Sequence, residues 1–405
     1  MPLTSNVLTL LLAGGVTCLL TYLLTFGVIA FARKVGWVEK PVAGKIHTVT
    51  RPRIGGVGIF LAFLIVSLTF YMPLLQGEHG PTELIFGQSY PKELVIYGLF
   101  VVASLLIVAV HVYDDVRGLK PLPKLIAQTV AVLILLGPGF HVFHGVLFFG
   151  VHNPLPHTAT SYNPALPWYQ QPELTLFIRE PLLTWLALPA ALFTWFWMTG
   201  MMNAINWIDG LDGLAAGIVA IAALFVTVIS WQMGQHSIAI LSAIFSGSVI
   251  GFLPHNWNPA RVIMGDSGSQ FLGLGLAVLA VIGGAKFALL LMVMGVPILD
   301  VMIVVTNRLR RGQHPMQRDE LPRYAGKTHL HYRLLFGGLN VRQVCLVLYG
   351  ATFLCGFFAL TLPSIFKFLG LLIVVLITVA LLLWSKYLQE RKQRLEQKEQ
   401  TEKMA

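Results

Sequence analysis

The stretch LVIYGLFVVASLLIVAVHVYDDVRGLK, residues 94–120, decides the fold. From Leu94 to Val112 it contains no Lys, Arg, Asp or Glu, then stops at two adjacent carboxylates, Asp114 and Asp115. A helix of that length crosses a hydrocarbon layer about 30 Å thick. Similar runs recur at 7–32, 57–75, 122–150, 181–202, 214–231, 238–253, 268–283, 287–305, 344–362 and 366–384. A chain of 405 residues that is 56% hydrophobic and 11% charged cannot hide that much apolar surface in one soluble core. The alternation of a membrane β-barrel is absent. The expected fold is an all-α polytopic membrane protein with about eleven transmembrane helices, its residues 1–385 forming a single transmembrane catalytic domain.

Charge sets the expected orientation. Alternate loops must share a side, and Lys and Arg accumulate on the cytoplasmic one. All but Lys92, Arg179, Lys286 and Lys367 of the 28 Lys and Arg fall in loops of one parity, at its span edges or in the tail. That parity puts the N-terminus outside and the C-terminus in the cytoplasm. It also requires 268–283 and 287–305 to be two short spans joined at Gly283-Gly284-Ala285-Lys286, because one merged helix would send the basic tail outside. Residues 151–181, rich in Pro, His, Asn and aromatics, are expected to form an extracytoplasmic loop. Residues 386–405 read as a charged cytoplasmic tail, either continuing the last helix or disordered. The first basic residue is Arg33, so the first apolar run is expected to remain as a helix. The net charge of +10 is explained by anionic headgroups, and nucleic acid is excluded as a partner. Cys18, Cys345 and Cys355 have no metal-ligand spacing and read as packing residues.

Six of the seven Asp residues, namely Asp114, Asp115, Asp209, Asp212, Asp266 and Asp300, fall at loops or helix ends of that same side. Carboxylates at the edge of hydrocarbon are expensive unless paired, hydrated or metal-bound, so the clustering points to a site. Helix capping is the bland alternative for Asp212 and Asp266. Asp114 and Asp115 diverge by about 100° on a helix, which favours a division of labour: one toward a metal or reacting phosphate, the other toward a nearby cation. Asn203, Asn206, Asp209 and Asp212 repeat at every third position through what reads as a loop opening a helix, with Gly210 and Gly213 allowing close backbone approach. Met264-Gly-Asp266-Ser-Gly-Ser269 places another carboxylate at a helix start. These hard oxygen ligands suit Mg²⁺, with Mn²⁺ as its substitute, rather than zinc. The basic loop after Val305, with Arg308, Arg310 and Arg311, has the forked donors that a diphosphate takes, although headgroup contact explains such a cluster too. His329 and His331 follow, able to hydrogen-bond or neutralise phosphate.

Taken together, DDVRGL, NAINWIDGLDGLAAG, MGDSGS and HLHYR resemble the polyprenyl-phosphate N-acetylhexosamine-1-phosphate transferase family over residues 1–343. PVAGKIHTVTRPRIGG at 41–56 is similar to that family's first cytoplasmic loop. The resemblance implies a multi-pass enzyme of the cytoplasmic membrane whose site faces the cytoplasm. Its partners would be a UDP-sugar, undecaprenyl phosphate and the lipid bilayer, with a homodimer left open. It implies catalytic roles for Asp114, Asp115, Asp209 and Asp212, with the base of the Asp114/Asp115 pair left open. Lys45, His47, Asn203, Asn206, Arg308, Arg310, Arg311, His329 and His331 would bind substrate. Asp266 with Asp115 would hold Mg²⁺. The interrupted His329-Leu-His331-Tyr332, in place of three successive histidines, implies the UDP-GlcNAc branch and the start of a cell-envelope polysaccharide. Another UDP-N-acetylhexosamine or UDP-MurNAc-pentapeptide stays open as donor. A polyprenyl-lipid transporter is the non-enzyme alternative, disfavoured because transport sites lie near the membrane midplane.

Overall fold

The computed structural model describes residues 7–39, 50–76, 82–85, 88–136, 181–282, 286–310, 312, 329–363 and 367–404. Helices dominate: α1 (Val7–Val35), α2 (Gly55–Val66) and α3 (Met72–Gln76) joined by a π-helical stretch Ser67–Tyr71, α4 (Lys92–Arg117), α5 (Pro121–Leu136) and α6 (Pro181–Ile208). They continue as α7 (Leu214–Gln232), α8 (His236–Asn256), α9 (Gly265–Ile282), α10 (Lys286–Val293), α11 (Gly295–Arg310), α12 (Leu330–Phe336), α13 (Val341–Thr361) and α14 (Lys367–Met404). Two short antiparallel pairs, Val38–Glu39 with Arg51–Pro52 and Thr82–Ile85 with Gln88–Pro91, complete the described structure.

A helix stands in each of the eleven apolar segments. Among the described residues, eight helices are long and apolar enough to cross a membrane, or nine if the bent pair α10 and α11 is one span. Residues 283–285, where the split before Lys286 was expected, lie outside the described residues. The segment 287–305, expected as one span, is instead broken at Met294 and bent by 71°. Arg308 and Arg310, expected in a loop, form the last turn of α11. Asn203 and Asn206, also expected in a loop, lie in the last turns of α6. The tail is a helical continuation of α14. Residues 151–180 of the expected outer loop, residues 137–150 of the fourth run, and Lys45, His47 and Arg311 lie outside the described residues.

Burial follows apolar pattern and small side chains. α7, α8 and α9 are mostly enclosed by protein, whereas α1 and α14 turn most of their surface outward. α1 seats Thr9, Ala13, Thr17, Thr21 and Thr25 inward, one per turn, against α8. The Thr17, Thr21 and Thr25 hydroxyls donate to the carbonyls four residues earlier, so the buried stripe carries no unpaired hydroxyl. At the end that carries the aspartates, chain segments interlock through the backbone. The amides of Gly55 and Gly56 at the start of α2 donate to the carbonyls of Ile263 and Met264, and Ile263 N–H donates to Pro52 O at 2.9 Å. These bonds occupy helix-terminal donors that α2 cannot satisfy internally. The approach demands glycine: a Cβ on Gly56 would lie 2.1 Å from the Cα of Gly268.

Candidate active site

α4 ends at the carboxylate pair and α9 begins at Asp266, and their packing brings the three acids together. Lys124, near the start of α5, reaches Asp266 Oδ2 at 2.7 Å and also contacts Asp114 Oδ2. The second Asp114 oxygen accepts the Leu119 amide at 2.6 Å, which closes the turn after α4. Asp115 faces the other way. Its Oδ1 accepts the Asp266 amide at 2.8 Å, and its Oδ2 accepts the Ser267 amide at 3.0 Å and the Ser267 hydroxyl at 2.8 Å. Asp115 therefore caps the first turn of α9, where a carboxylate also meets the positive end of the helix dipole. Gly265, at φ +78°, makes the turn into that helix, and a side chain there would collide with Arg53 O and Asp115. The Arg53 guanidinium spans the two acids, 3.4 Å from Asp115 Oδ1 and 3.6 Å from Asp266 Oδ1.

Asp209 and Asp212 sit in the tight turn between α6 and α7, yet have different surroundings. Asp212 is enclosed: Arg51 Nη1 donates to both its oxygens at 3.0 and 2.9 Å, and Asn258 Nδ2 and the Ala260 amide each donate at 3.0 Å. The pair ties the Arg51–Pro52 strand, the α6–α7 turn and the segment after α8 into one piece. Because removing one member of a buried pair strands the other, Arg51→Met is expected to cost about 3–5 kcal/mol. Thermal unfolding in detergent checks this, and an unfolding temperature equal to wild type would contradict it. Asp209 stays partly open, and no described side chain hydrogen-bonds to it. Burial pushes its carboxyl well above the usual carboxylate range, and the negative charges of Asp266 and Asp115 add to the effect.

Behind these groups lies a buried amide chain. Asn203 Nδ2 donates to Gln128 Oε1 at 3.1 Å, and Gln128 Nε2 donates to Gln270 Oε1 at 2.9 Å. Asn206 Nδ2 donates to Ser269 Oγ at 2.9 Å, joining the end of α6 to the first turn of α9. On the far side of the Asp209 turn, Tyr332 Oη donates to Gly210 O at 3.2 Å. His329 Nδ1 meets Asp300 Oδ2 at 2.9 Å, while Asp300 Oδ1 accepts the Leu330 amide at 2.8 Å. His331 stacks on His329 with ring centroids 5.6 Å apart, and its Nε2 has no hydrogen-bond partner among the described residues. Burial, with His329 adding to it, pushes the His331 imidazole down to about 3. It is neutral at physiological pH, and so equipped to hydrogen-bond phosphate but not to neutralise it.

The structure thus gathers Asp114, Asp115, Asp209 and Asp266, and places Asn203, Asn206, His329 and His331 on elements that pack around them. Arg308, half-buried, and Arg310, exposed, ride on α11 with Asp300. Sequence reading missed Lys124 and Arg53 as site cations, Asp300 as the partner of His329, and Arg51 as the partner of Asp212. A signal existed for Lys124, an ammonium at the edge of an apolar run. Around the open centre, four carboxyls face two cations among the described residues. That excess of hard carboxyl oxygens over cations fits a divalent cation. Among the described residues, no group of three or more His, Cys, Asp or Glu is placed to hold an ion by itself.

Comparison with known proteins gives the same picture. Residues 97–284 match the family described as glycosyl transferase family 4. The chain is 28% identical over 383 residues to a Bacillus subtilis (strain 168) protein named "Probable undecaprenyl-phosphate N-acetylglucosaminyl 1-phosphate transferase", covering 93% of this chain and 91% of the relative. It is 30% identical over 366 residues to the decaprenyl-phosphate N-acetylglucosaminephosphotransferase of Mycobacterium tuberculosis (strain CDC 1551 / Oshkosh), covering 84% and 79%. A phospho-N-acetylmuramoyl-pentapeptide-transferase of Geobacillus kaustophilus (strain HTA426) is 29% identical over 334 residues, covering 80% and 90%. Helices, acidic centre and relatives agree: the chain belongs to glycosyl transferase family 4, as a multi-pass membrane member of the polyprenyl-phosphate N-acetylhexosamine-1-phosphate transferases.

Proposed function

We propose that the protein transfers N-acetylglucosamine-1-phosphate from UDP-GlcNAc to undecaprenyl phosphate, giving undecaprenyl-diphosphate-GlcNAc and UMP. The observation that carries this reading is the meeting of four Asp carboxyls with Lys124 and Arg53 where apolar helices end. The positive-inside bias supports a site facing the cytoplasm in the cytoplasmic membrane, with the N-terminus outside. Two polyanions must approach each other there, so catalysis consists mainly of positioning and charge compensation. An oxygen of the lipid phosphate attacks the β-phosphorus of the donor, the bond between β-phosphorus and the bridging oxygen breaks, and UMP leaves with that oxygen.

The residues divide this work. Asp115 has both oxygens engaged at the start of α9 and acts by positioning Asp266. Asp114, linked to Lys124, is the member of the pair that faces the lipid phosphate. A base is barely required when that phosphate arrives ionised. Asp266 with Asp209 would hold Mg²⁺, which when bound supplies charge neutralisation at the diphosphate. Lys124 and Arg53 offset charge on the phosphoryl oxygens, and Arg308 and Arg310 extend that compensation to the donor. His329 Nε2 and neutral His331 hydrogen-bond the sugar phosphate or the N-acetylated sugar. Asn203 and Asn206 fix the α6 end along which the nucleotide lies.

The relative named for N-acetylmuramoyl-pentapeptide keeps one second donor in view. UMP release with UDP-GlcNAc, UDP-GalNAc and UDP-MurNAc-pentapeptide, each with Mg²⁺ and undecaprenyl phosphate, separates them. The expected result is release with UDP-GlcNAc at a kcat/KM above the other two. A preference for either alternative would replace the assigned sugar.

A further inference from the structure

α14 runs for 38 residues, about 57 Å at 1.5 Å per residue, roughly twice what a hydrocarbon layer takes. Its apolar part stops at Trp384, and the first turns beyond lie along α12. A side chain on Gly337, just after α12, would come within 2.9 Å of Leu388 Cβ. Gln389 Nε2 donates to Arg333 O at 3.0 Å, and Lys392 Nζ donates to Phe336 O at 3.3 Å. Positions 389 and 392 share one helix face. Both acceptors belong to the last turn of α12; Arg333 O also accepts the Gly337 amide at 3.0 Å, and an ammonium at Phe336 O meets the negative end of the helix.

α12 has seven residues, too few for a helix to hold itself in place. His329 stands at its N-cap, His331 within it, and Tyr332 reaches from it to Gly210. We infer that Gln389 and Lys392 are positioning residues: from the charged extension of α14 they latch α12, and so set His329, His331 and Tyr332 against the Asp209–Gly213 turn. The inference rests on the donor-binding role proposed for His329 and His331.

The test uses the full chain in detergent. Gln389→Glu keeps the size of the side chain and removes its donor; Lys392→Met keeps the stem and removes the ammonium. Each is expected to raise the KM for UDP-GlcNAc about threefold to tenfold, the equivalent of one hydrogen bond, while the KM for undecaprenyl phosphate stays unchanged. Lys392→Arg should restore the wild-type KM, and Gln397→Glu, exposed farther along α14, should change nothing. Hydrogen exchange reads the latch without substrate: Gln389→Glu should speed exchange of α12 amides and leave α13 amides as they were. Unchanged α12 protection would overturn the latch, as would a uniform fall in kcat with both KM values constant. Absence of UMP from wild-type protein would instead overturn the transferase reading, while the exchange result still decides whether the latch exists.

Discussion

Asp266→Asn is expected to lower kcat by about 10²- to 10³-fold, the scale for loss of a charge-stabilising group at a phosphoryl centre. The reason lies in its neighbours. Asp266 stands at the first turn of α9 with Lys124 Nζ at 2.7 Å and Arg53 Nη2 at 3.6 Å, and its charge is felt by the Asp209 carboxyl. Asn keeps the shape and the hydrogen bonds that order α9, since those run from the Asp266 amide rather than its side chain. The variant should therefore fold. Its residual turnover should no longer rise with Mg²⁺ over the range that activates wild type. Wild-type kcat with an unchanged Mg²⁺ titration would remove Asp266 from the metal assignment.

Lys124→Met is expected to damage both stability and turnover. The ammonium touches Asp114 and Asp266 together, at a position where its side chain is 14% exposed. Its loss leaves two enclosed carboxylates facing each other, at a cost of about 3–5 kcal/mol. Turnover should fall about 10²-fold, as when one preorganised donor is removed. Adding Asp114→Asn to Lys124→Met separates the two effects. The double variant should regain most of the thermal stability, because the repulsion is gone, and should stay inactive, because the site has lost a cation and a carboxylate. A Lys124→Met protein with wild-type unfolding temperature and wild-type kcat would show that the bridge matters to neither.

These two residues also mark how far sequence reading reached. Helical spans were legible because lipid demands long apolar runs, and the run 94–112 ending at Asp114 needs no partner to be read. The divergence of Asp114 and Asp115 was legible from helix geometry alone. Where each one points was not, because Lys124 and the first turn of α9 come from segments that only tertiary packing brings close. Arg51 and Asp212 are 161 positions apart, and nothing local in RPRIGG or DGLDG announces their pairing. Hydropathy likewise reads through Met294, since a bend leaves apolar content unchanged while placing Asp300 on α11 against Ile208, Leu214 and His331. Asn203 and Asn206 resembled loop residues through their turn-forming preference. The amide chain to Gln128 and Gln270 lets α6 continue past them with its polar groups satisfied.

Transfer of a sugar phosphate, rather than of a sugar, is read from the nucleotide product. Purified protein is incubated with UDP-GlcNAc, undecaprenyl phosphate and Mg²⁺, and the nucleotide and lipid products are separated and identified by mass. UMP and a diphosphate-linked GlcNAc lipid are expected in equal amounts. UDP with a monophosphate-linked lipid would mean that the sugar–oxygen bond breaks instead, and would contradict sugar-phosphate transfer.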